Sequence, residues 1–478
     1  MQRTWLSFLL SVLLCCTLTA CGGSDQKEST PPVVNTPPPT EPPPPSVISD
    51  ETLPRIDIYA LEGEIQNEPK ITAKMKVTTY TIGEQASVEL DTHIGVEYRG
   101  SSSQGIYQKK GYGIETRDEA GEDLSVALLG FPEEEDWVLH GPYGDKSLIR
   151  NALMYDLATA FERYVSRYQF VEVYVEEQYQ GLYVLLERVK RDSDRIDINK
   201  LKEDENEGED VTGGYILKID KTTGEHEDNP GAEALFTDDI SFISNYGNEV
   251  NNSVPHFLYH YPKPEDITSE QKAYIQDYIN QFETALDGEQ FKDEASGYRH
   301  FIQVDSFVDY FLATELSGNI DGYRLSTYLY KDKNAKLSMG PLWDYNLAFG
   351  NADYCNGAAT DIWIYRSEER CDGGAFPVPF WWGKLLQDPY FVGLVKTRWN
   401  QLRESSLSDE MIDSRIQELS DQLARTGAVS KNFERWDVLG EYVWPNYYVG
   451  QTYNDELNYL TQWLENRLVW LDSEINQL

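Results

Sequence analysis

Residues 171–186 read VEVYVEEQYQGLYVLL, and this stretch predicts a β-hairpin. Valines alternate with polar or aromatic residues over residues 171–175, which is the period of a half-buried strand. A short turn ends at Gly181, and apolar residues alternate again over residues 182–186. The hairpin predicts that this half of the chain is built on antiparallel strands.

The chain before the hairpin carries the same signal. Residues 56–115 are rich in Val, Ile, Thr and Tyr and are punctuated by glycine, which predicts strands. Two of them, residues 93–99 and 107–115, flank the polar loop GSSSQG at residues 100–105. After the hairpin, residues 213–219 predict a further strand.

One helix is predicted within this strand-rich region, over residues 147–163. Its apolar residues recur at helical spacing and form one face: Ile149, Ala152, Leu153, Leu157 and Phe161.

Helical periodicity dominates after residue 265. Thr268 and Gln271 have the spacing of a capping box, and apolar residues recur at helical spacing over residues 274–282. A second helix, residues 304–316, is expected to end at Gly318.

A short insert of β character, residues 326–331 and 336–339, follows, and helices return from residue 381. The chain is therefore predicted to be α+β. We expect a strand-rich N-terminal lobe over residues 51–265 and a helix-rich C-terminal lobe over residues 266–478.

Composition excludes one broad class of function. The 478 residues include 41 Lys and Arg against 81 Asp and Glu, a formal charge of −40. Nucleic-acid binding is not expected, because phosphate contacts need clustered cations. A phosphate ligand must instead be held locally, by a metal or by a few placed Lys and Arg residues.

The N-terminus predicts export and membrane anchoring. Residues 1–20 read as a signal peptide, with Arg3 before an apolar stretch too short to span a bilayer. The sequence LTAC ending at Cys21 resembles a bacterial lipobox, which predicts acylation of Cys21; an ordinary cleaved signal is the alternative. The Pro-rich residues 21–50 form a linker. We expect a lipid-anchored protein of the cell envelope, on the outer membrane if the cell is Gram-negative.

Only two cysteines remain beyond this anchor. Cys355 and Cys371 lie outside the cytoplasm on this reading, where disulfides persist, and we predict that they pair. A two-cysteine zinc site is the alternative, although no histidine lies close to them in the sequence.

Two short acidic motifs stand out as candidate chemistry. Residues 319–324 read NIDGYR and residues 343–346 read WDYN, and each lies just outside a short predicted strand. Two carboxylates with amide oxygens are the ligands that Mg²⁺ uses while it bridges phosphates. Asp321 and Asp344 serve equally well as turn-forming residues, so this alternative remains open.

An ordered set of motifs resembles the CotH family, the spore coat protein H kinases, over roughly residues 90–400. These are atypical protein kinases with a reduced two-lobed, kinase-like fold. The matching segments are YRGSS at 98–102 with Lys109 and Lys110, DWVL at 136–139, residues 145–151, YQGLY at 179–183 ending at Glu187, GGY at 213–215, NID at 319–321 and WD at 343–344.

The resemblance implies roles for the two acids. It makes Asp321 an active-site acid that contacts metal or the incoming hydroxyl, and Asp344 a magnesium ligand. Asn346 stands where the family usually has a second aspartate, so it is a metal ligand without the charge. Mg²⁺ or Mn²⁺ and ATP are the implied cofactors.

The resemblance also suggests a phosphate-binding set. Arg99, Lys110 and Lys218 are candidate phosphate clamps, and Glu187 could orient one of them through an ion pair. Surface charge or a structural salt bridge is the alternative for each.

The expected function is phosphoryl transfer to Ser or Thr of a surface or exported protein; the acceptor and the oligomeric state are not predicted. The alternative is a non-catalytic pseudokinase, or a glycan- or protein-binding lipoprotein. Such a binder would use an aromatic platform, although core packing also explains these residues: Trp363, Tyr365, Trp381 and Trp382.

Overall fold

A computed structural model describes residues 51–222, 236–247, 253–371 and 376–478. The predicted signal peptide, Cys21 and the linker to residue 50 lie outside the described residues.

The first seven strands close into a barrel in the order β1-β2-β3-β4-β5-β7-β6. Neighbouring strands pair antiparallel except β1 and β6, whose parallel pairing closes the barrel. The strands are β1 Arg55–Ala60, β2 Ile71–Thr79, β3 Ser87–Arg99, β4 Gly111–Arg117, β5 Asp136–His140, β6 Tyr168–Val175 and β7 Gln178–Glu187.

The predicted hairpin is confirmed as β6 and β7, with Val171 paired to Tyr183. The inward residues of the barrel, such as Val173 and Leu185, are fully buried around Trp137. Such a closed barrel is not the N-terminal lobe of an ordinary protein kinase.

A second sheet has the order β12-β11-β8-β10-β9, and all its pairs are antiparallel. Strands from both sides of residue 265 meet in it, and the predicted β insert is confirmed as its β11 and β12. The strands are β8 Tyr215–Ile219, β9 Ser241–Ile243, β10 His256–Tyr261, β11 Thr327–Lys331 and β12 Ser338–Met339.

Helices fill most of the second half, so the described chain is α+β with a strand-rich N-terminal region and a helical C-terminal region. Within the described residues, no helix combines the length and apolar character that a bilayer span requires. The helices are α1 Ser102–Ile106, α2 Arg150–Ala158, α3 Ser269–Asp287, α4 Val304–Ser317, α5 Trp381–Leu385, α6 Pro389–Arg403, α7 Asp409–Arg425, α8 Ala428–Arg435 and α9 Tyr453–Gln477.

Two local signals at helix ends are confirmed. The Thr268 side chain accepts from the backbone of Gln271, and the Gln271 side chain accepts from Thr268 in return, which forms the predicted capping box. Helix α4 ends at Gly318, which has φ 58°. Glycine adopts this left-handed conformation without the steric cost of a Cβ atom.

The predicted helix over residues 147–163 is too long at both ends. Helix α2 begins at Arg150, because the side chain of Asp145 accepts the Arg150 backbone N–H at 2.9 Å and holds the preceding residues in a turn. After Ala158 the chain tightens into a 3₁₀ turn that ends at Glu162, where φ is 57°.

Core packing, the other explanation given for Trp381 and Trp382, is confirmed, and the alternative of an aromatic platform is wrong for these two residues. Both indoles are buried, at 0% and 1% exposure, because α5 packs them among the aromatic rings of the core. The ring centroids of Trp382 and Tyr323 are 4.5 Å apart. Trp363 and Tyr365 are half-buried and pack against Phe311.

The predicted disulfide is confirmed. Cys355 and Cys371 are bonded, with their Cα atoms 4.8 Å apart.

A buried carboxyl in α3 predicts a pH-dependent component of stability. Glu283 is fully buried and accepts hydrogen bonds from Ser244 Oγ at 2.8 Å and Trp381 Nε1 at 2.9 Å. Burial raises its pKa to about 7, although the two donors oppose the shift. The glutamate side chain of an unfolded chain has a pKa of about 4.3. The stabilisation that Glu283 gives as a protonated group is therefore complete below about pH 4 and is lost as the pH rises to 7.

We expect Glu283→Gln to remove this component. Between pH 5 and pH 8 the free energy of unfolding of the wild type should fall relative to the variant, by roughly 3 kcal/mol. Chemical denaturation at several pH values measures the difference, with the exposed Glu289→Gln as control. Parallel pH curves for wild type and Glu283→Gln would contradict the assignment.

Candidate active site

Three acids meet at one end of the second sheet. Asp220 directly follows β8, and Asp321 lies between α4 and β11. Strands β8 and β11 are antiparallel, with Ile219 opposite Thr327. The end of β8 and the start of β11 therefore lie at the same end of the sheet. Asp344 follows β12, and the charges of Asp321 and Asp220 both act on it.

A single amide connects the two acidic motifs. Asn319 is 3% exposed, and its Nδ2 donates to the backbone carbonyl of Asp344 at 3.3 Å. Its Oδ1 accepts the backbone N–H of Asp321 at 3.2 Å. The side chain of Asn319 thus fixes the relative position of two segments more than twenty residues apart in the sequence.

Helix α2 supports the loop that carries Asp344. Asn151 Oδ1 accepts the backbone N–H of Tyr345 at 2.6 Å, and Tyr155 Oη accepts that of Asp344 at 3.4 Å. Arg150 Nε donates to the carbonyl of Ala348 at 3.2 Å, and its guanidinium is held by Asp145 at 2.6 Å. Residues 145–151 therefore act as a scaffold for the acidic loop.

The backbone is strained around this site. Asp344, Tyr323 and Ser326 have φ of 64°, 70° and 48°, in the left-handed region. Aspartate enters this region more readily than most residues, whereas tyrosine does so at a greater cost. Clusters of such conformations are typical of functional sites, where surrounding contacts hold them in place.

Asp344 has an unusual electrostatic environment. Its side chain still reaches solvent, but the dense surrounding protein leaves it partly desolvated. This burial, together with the charges of Asp321 and Asp220, raises the pKa of Asp344 to about 6, against the opposing charges of Arg99 and Lys221. Within the described part of the chain no group donates a hydrogen bond to its carboxylate. These oxygens are therefore available to a ligand.

Asp321 is held differently, because one of its oxygens is already engaged. Tyr354 Oη donates to Asp321 Oδ1 at 3.1 Å, and Arg324 Nη2 lies 3.2 Å from the same oxygen. The Asp321 side chain is 25% exposed, so the side chain remains accessible to solvent.

Cations from both sheets lie near the three acids. Arg99, at the end of β3, lies with its guanidinium 5.4 Å from the ring centre of Trp343. Burial and the neighbouring Arg188 lower the pKa of Arg99. Lys218 Nζ lies 3.8 Å from an oxygen of Asp220. A group of guanidinium and ammonium charges close to acids is suited to a ligand that carries both anionic oxygens and a metal.

A side-chain contact joins the polar loop at residues 100–105 to the segment that follows Asp220. The loop contains the short helix α1, and Lys221 Nζ lies 3.2 Å from Ser102 Oγ. Lys110 donates to the carbonyl of Tyr107 at 2.7 Å and also to the carbonyl of Gln104. Lys110, a predicted phosphate clamp, is thus engaged in fixing the end of the loop.

Glu187 is buried in a structural network. Its carboxylate is held by Arg167 at 2.9 Å and by Arg195 at 3.1 Å, both outside the predicted phosphate-binding set. The predicted role of orienting Arg99, Lys110 or Lys218 is replaced in the structure by these partners. Two arginines compensate a fully buried carboxylate that would otherwise be costly.

Asn346 lies two residues beyond Asp344 in the same loop and is partly exposed. Its carbonyl accepts from Asn351 Nδ2 at 2.9 Å, and the same Nδ2 donates to the carbonyl of Gly144 at 3.2 Å. Asn351 therefore joins the loop at Asn346 to the chain at Gly144.

A second acidic group, in the barrel, is not a comparable site. Glu134, Glu135 and Asp136 are close enough to hold an ion. However, Lys190 Nζ lies 2.7, 2.6 and 2.9 Å from their respective oxygens and supplies the positive charge itself.

Several residues of the site were not predicted from the sequence. Asp220 gave the same signal as the two predicted acids, a carboxylate just beyond a strand, but was not recognised. The others have no local sequence signal, because their roles depend on long-range contacts: Arg188, Lys221 and Tyr354.

The fold and site define an α+β protein with a closed barrel, a second sheet and a group of three acids at one end of that sheet. The family model for CotH kinase protein matches residues 96–471, and the chain belongs to this family. No curated protein matches the chain.

The Asn319 link predicts a stability effect. Asn319→Ala removes both hydrogen bonds of a buried amide and leaves a partly buried carbonyl and N–H without these partners, so the free energy of unfolding should fall by about 2 kcal/mol. Chemical denaturation measures the change. The exposed Asn400→Ala should stay within about 0.5 kcal/mol of wild type. Equal stabilities for the two variants would show that Asn319 does not connect the motifs.

Proposed function

We propose that this chain is a kinase-like enzyme that transfers a phosphoryl group from Mg²⁺–ATP to a Ser or Thr hydroxyl of a surface or exported protein. The observation that carries the proposal is the meeting of Asp321 and Asp344, close enough for one charge to raise the pKa of the other, in a member of the CotH family. Phosphoryl transfer needs mainly positioning and charge neutralisation, which acids, metal and a few cations provide.

The donor set fits a divalent cation. Asp344 offers carboxylate oxygens that accept no hydrogen bond from the described chain, and it lies in a field of two further acids. A cation bound there would relieve this like-charge repulsion. Asp344 and Asn346 supply hard oxygen atoms, of the type that Mg²⁺ or Mn²⁺ prefers.

Bound at these residues, a divalent cation would neutralise charge on the phosphates. Asp321 would orient the acceptor hydroxyl and receive its proton. Its Oδ1 is held by Tyr354 and Arg324, which directs the other oxygen to this task. Asp220 would add negative potential at the proposed metal site, since its charge already acts on Asp344.

Arg99 and Lys218 would contact the phosphates of the nucleotide. Two guanidinium groups, those of Arg99 and Arg188, are near enough to repel each other, because the charge of Arg188 lowers the pKa of Arg99. An anion between such groups stabilises both charges. Lys110 and Glu187 would contribute indirectly, through the loop and through the barrel network respectively.

The lobes of a kinase-like fold correspond, in this proposal, to the barrel and to the helical region, with the second sheet at the cleft. The barrel would replace the open sheet of ordinary kinases and carry the phosphate-side loop at residues 100–105. The proposed lobe boundary near residue 265 then lies between β10 and β11, so the second sheet contains strands from both proposed lobes.

The proposed location is the cell envelope. Acylation of Cys21 would anchor the chain, and the Pro-rich linker would hold the catalytic region away from the lipid surface. In a Gram-negative cell the anchor would direct it to the outer membrane. The charge of −40 argues against nucleic acid as a partner.

A second candidate function is favoured by a different observation. Three aromatic residues at one loop are exposed, namely Tyr442 at 56%, Trp444 at 43% and Tyr447 at 62%. Together with the amide at Asn346, which carries no charge, they suit a pseudokinase that binds a surface partner without turnover.

Ligand-induced stabilisation separates the two functions. With Mg²⁺ and ATP at about 100 times the dissociation constant, the free energy of unfolding should rise by about 2.7 kcal/mol. Asp344→Asn should abolish the rise, because it removes the charged ligand. Asp321→Asn should keep the rise but lower phosphoryl transfer at least about 100-fold. Denaturation of residues 51–478 and transfer of labelled phosphate to a Ser- and Thr-containing peptide library measure these effects.

The control is Asp361→Asn, an exposed acid outside the proposed site, which should behave as wild type in both assays. Stabilisation without transfer in the wild type would favour the pseudokinase. If the wild type shows neither effect with Mg²⁺ or Mn²⁺, the enzyme proposal fails.

A further inference from the structure

Tyr354 touches the proposed catalytic acid from a distant segment of the chain. Its hydroxyl donates to Asp321 Oδ1 at 3.1 Å across 33 sequence positions. Arg324, three residues after Asp321, approaches the same oxygen at 3.2 Å. Two donors on one carboxylate oxygen, one local and one from a distant segment, restrict rotation of the carboxylate about the Cβ–Cγ bond more than a single donor does.

We propose that Tyr354 is a positioning residue that fixes the orientation of the Asp321 carboxylate for the acceptor hydroxyl. This inference rests on the proposed function, since it assigns a role within that same site.

The segment that carries Tyr354 is anchored on both sides. The backbone N–H of Asp353 donates to the carbonyl of Pro445 at 2.9 Å, and Cys355 is joined to Cys371. The tyrosine therefore approaches Asp321 from a fixed base rather than from a free loop.

The ring of Tyr354 is fixed as well. It lies nearly parallel to Trp444, at an interplanar angle of 7° and a centroid distance of 6.1 Å. The carbonyl of Trp444 accepts from Tyr107 Oη at 3.0 Å, and Tyr107 directly follows α1 in the loop over the phosphate side. The aromatic series of Tyr107, Trp444 and Tyr354 thus connects that loop to the catalytic acid.

Tyr354 is the donor in this hydrogen bond. A tyrosine hydroxyl carries its proton at neutral pH, and a carboxylate oxygen accepts, so the contact at 3.1 Å runs from Tyr354 to Asp321.

The test separates the hydroxyl of Tyr354 from its ring. Tyr354→Phe retains the stack on Trp444 and loses only the hydrogen bond. We expect kcat to fall about tenfold, while KM for ATP stays within about twofold of wild type, because the nucleotide contacts lie elsewhere in the cleft.

A matched control exists outside the site. Tyr298 Oη and Arg299 Nη2 both donate to Asp388 Oδ2 at 2.9 Å, which repeats the arrangement at an N-cap residue of α6. Tyr298→Phe should reduce thermal stability but leave kcat unchanged. A fall in kcat for Tyr354→Phe that Tyr298→Phe does not reproduce therefore reports on orientation and not on stability.

Crystal structures of wild type and Tyr354→Phe give a readout without activity. The Asp321 carboxylate should have one orientation in the wild type and a rotated or mixed orientation in the variant. An unchanged carboxylate, or a kcat equal to wild type, overturns the positioning role. If the wild type transfers no phosphate, the proposed function fails while the crystallographic comparison still decides whether Tyr354 orients Asp321.

Discussion

Antiparallel pairing between β8 and β11 is the interaction on which the rest of the site depends. It joins a strand of the first half of the chain to one of the second half, with Ile219 opposite Thr327. The carboxyl end of β8 lies beside the amino end of β11, so Asp220 and Asp321 lie at the same end of the sheet. Asn319 then adds the third acid, since its side chain bonds both the Asp321 and the Asp344 backbone.

The charges at this edge are balanced differently from those in the barrel. In the barrel, Lys190 forms direct ion pairs with Glu134, Glu135 and Asp136. At Asp344 burial and the surrounding acids raise the pKa to about 6, and the opposing cations, Arg99 and Lys221, are not in direct contact with the carboxylate. Structural acid clusters tend to be neutralised internally, whereas a ligand site keeps charge available for its ligand.

Local signals in the sequence were sufficient for much of the fold and less of the site. The β6–β7 hairpin, the Thr268 capping box and the end of α4 at Gly318 each depend on a few neighbouring residues. Closure of the barrel could not be predicted, because the parallel β1–β6 pair joins strands more than a hundred residues apart and leaves no local pattern. The same reason explains why the prediction that Glu187 orients a phosphate clamp is wrong: its arginine partners, Arg167 and Arg195, have no local signal in the sequence.

The amide at Asn346 is consistent with the same electrostatics. Asn346 lies two residues beyond Asp344, and a further carboxylate in this loop would add like charge to a site that already holds three acids. In the proposed metal site, Asn346 would supply an oxygen ligand and avoid that repulsion when no cation is bound, but it would not attract a bound cation as a carboxylate does. Such a site would be more stable without metal and would bind metal more weakly than one with a third carboxylate. Turnover in this chain would then depend more on how firmly Asn319, Tyr354 and α2 hold the two remaining acids than on the affinity of the cation.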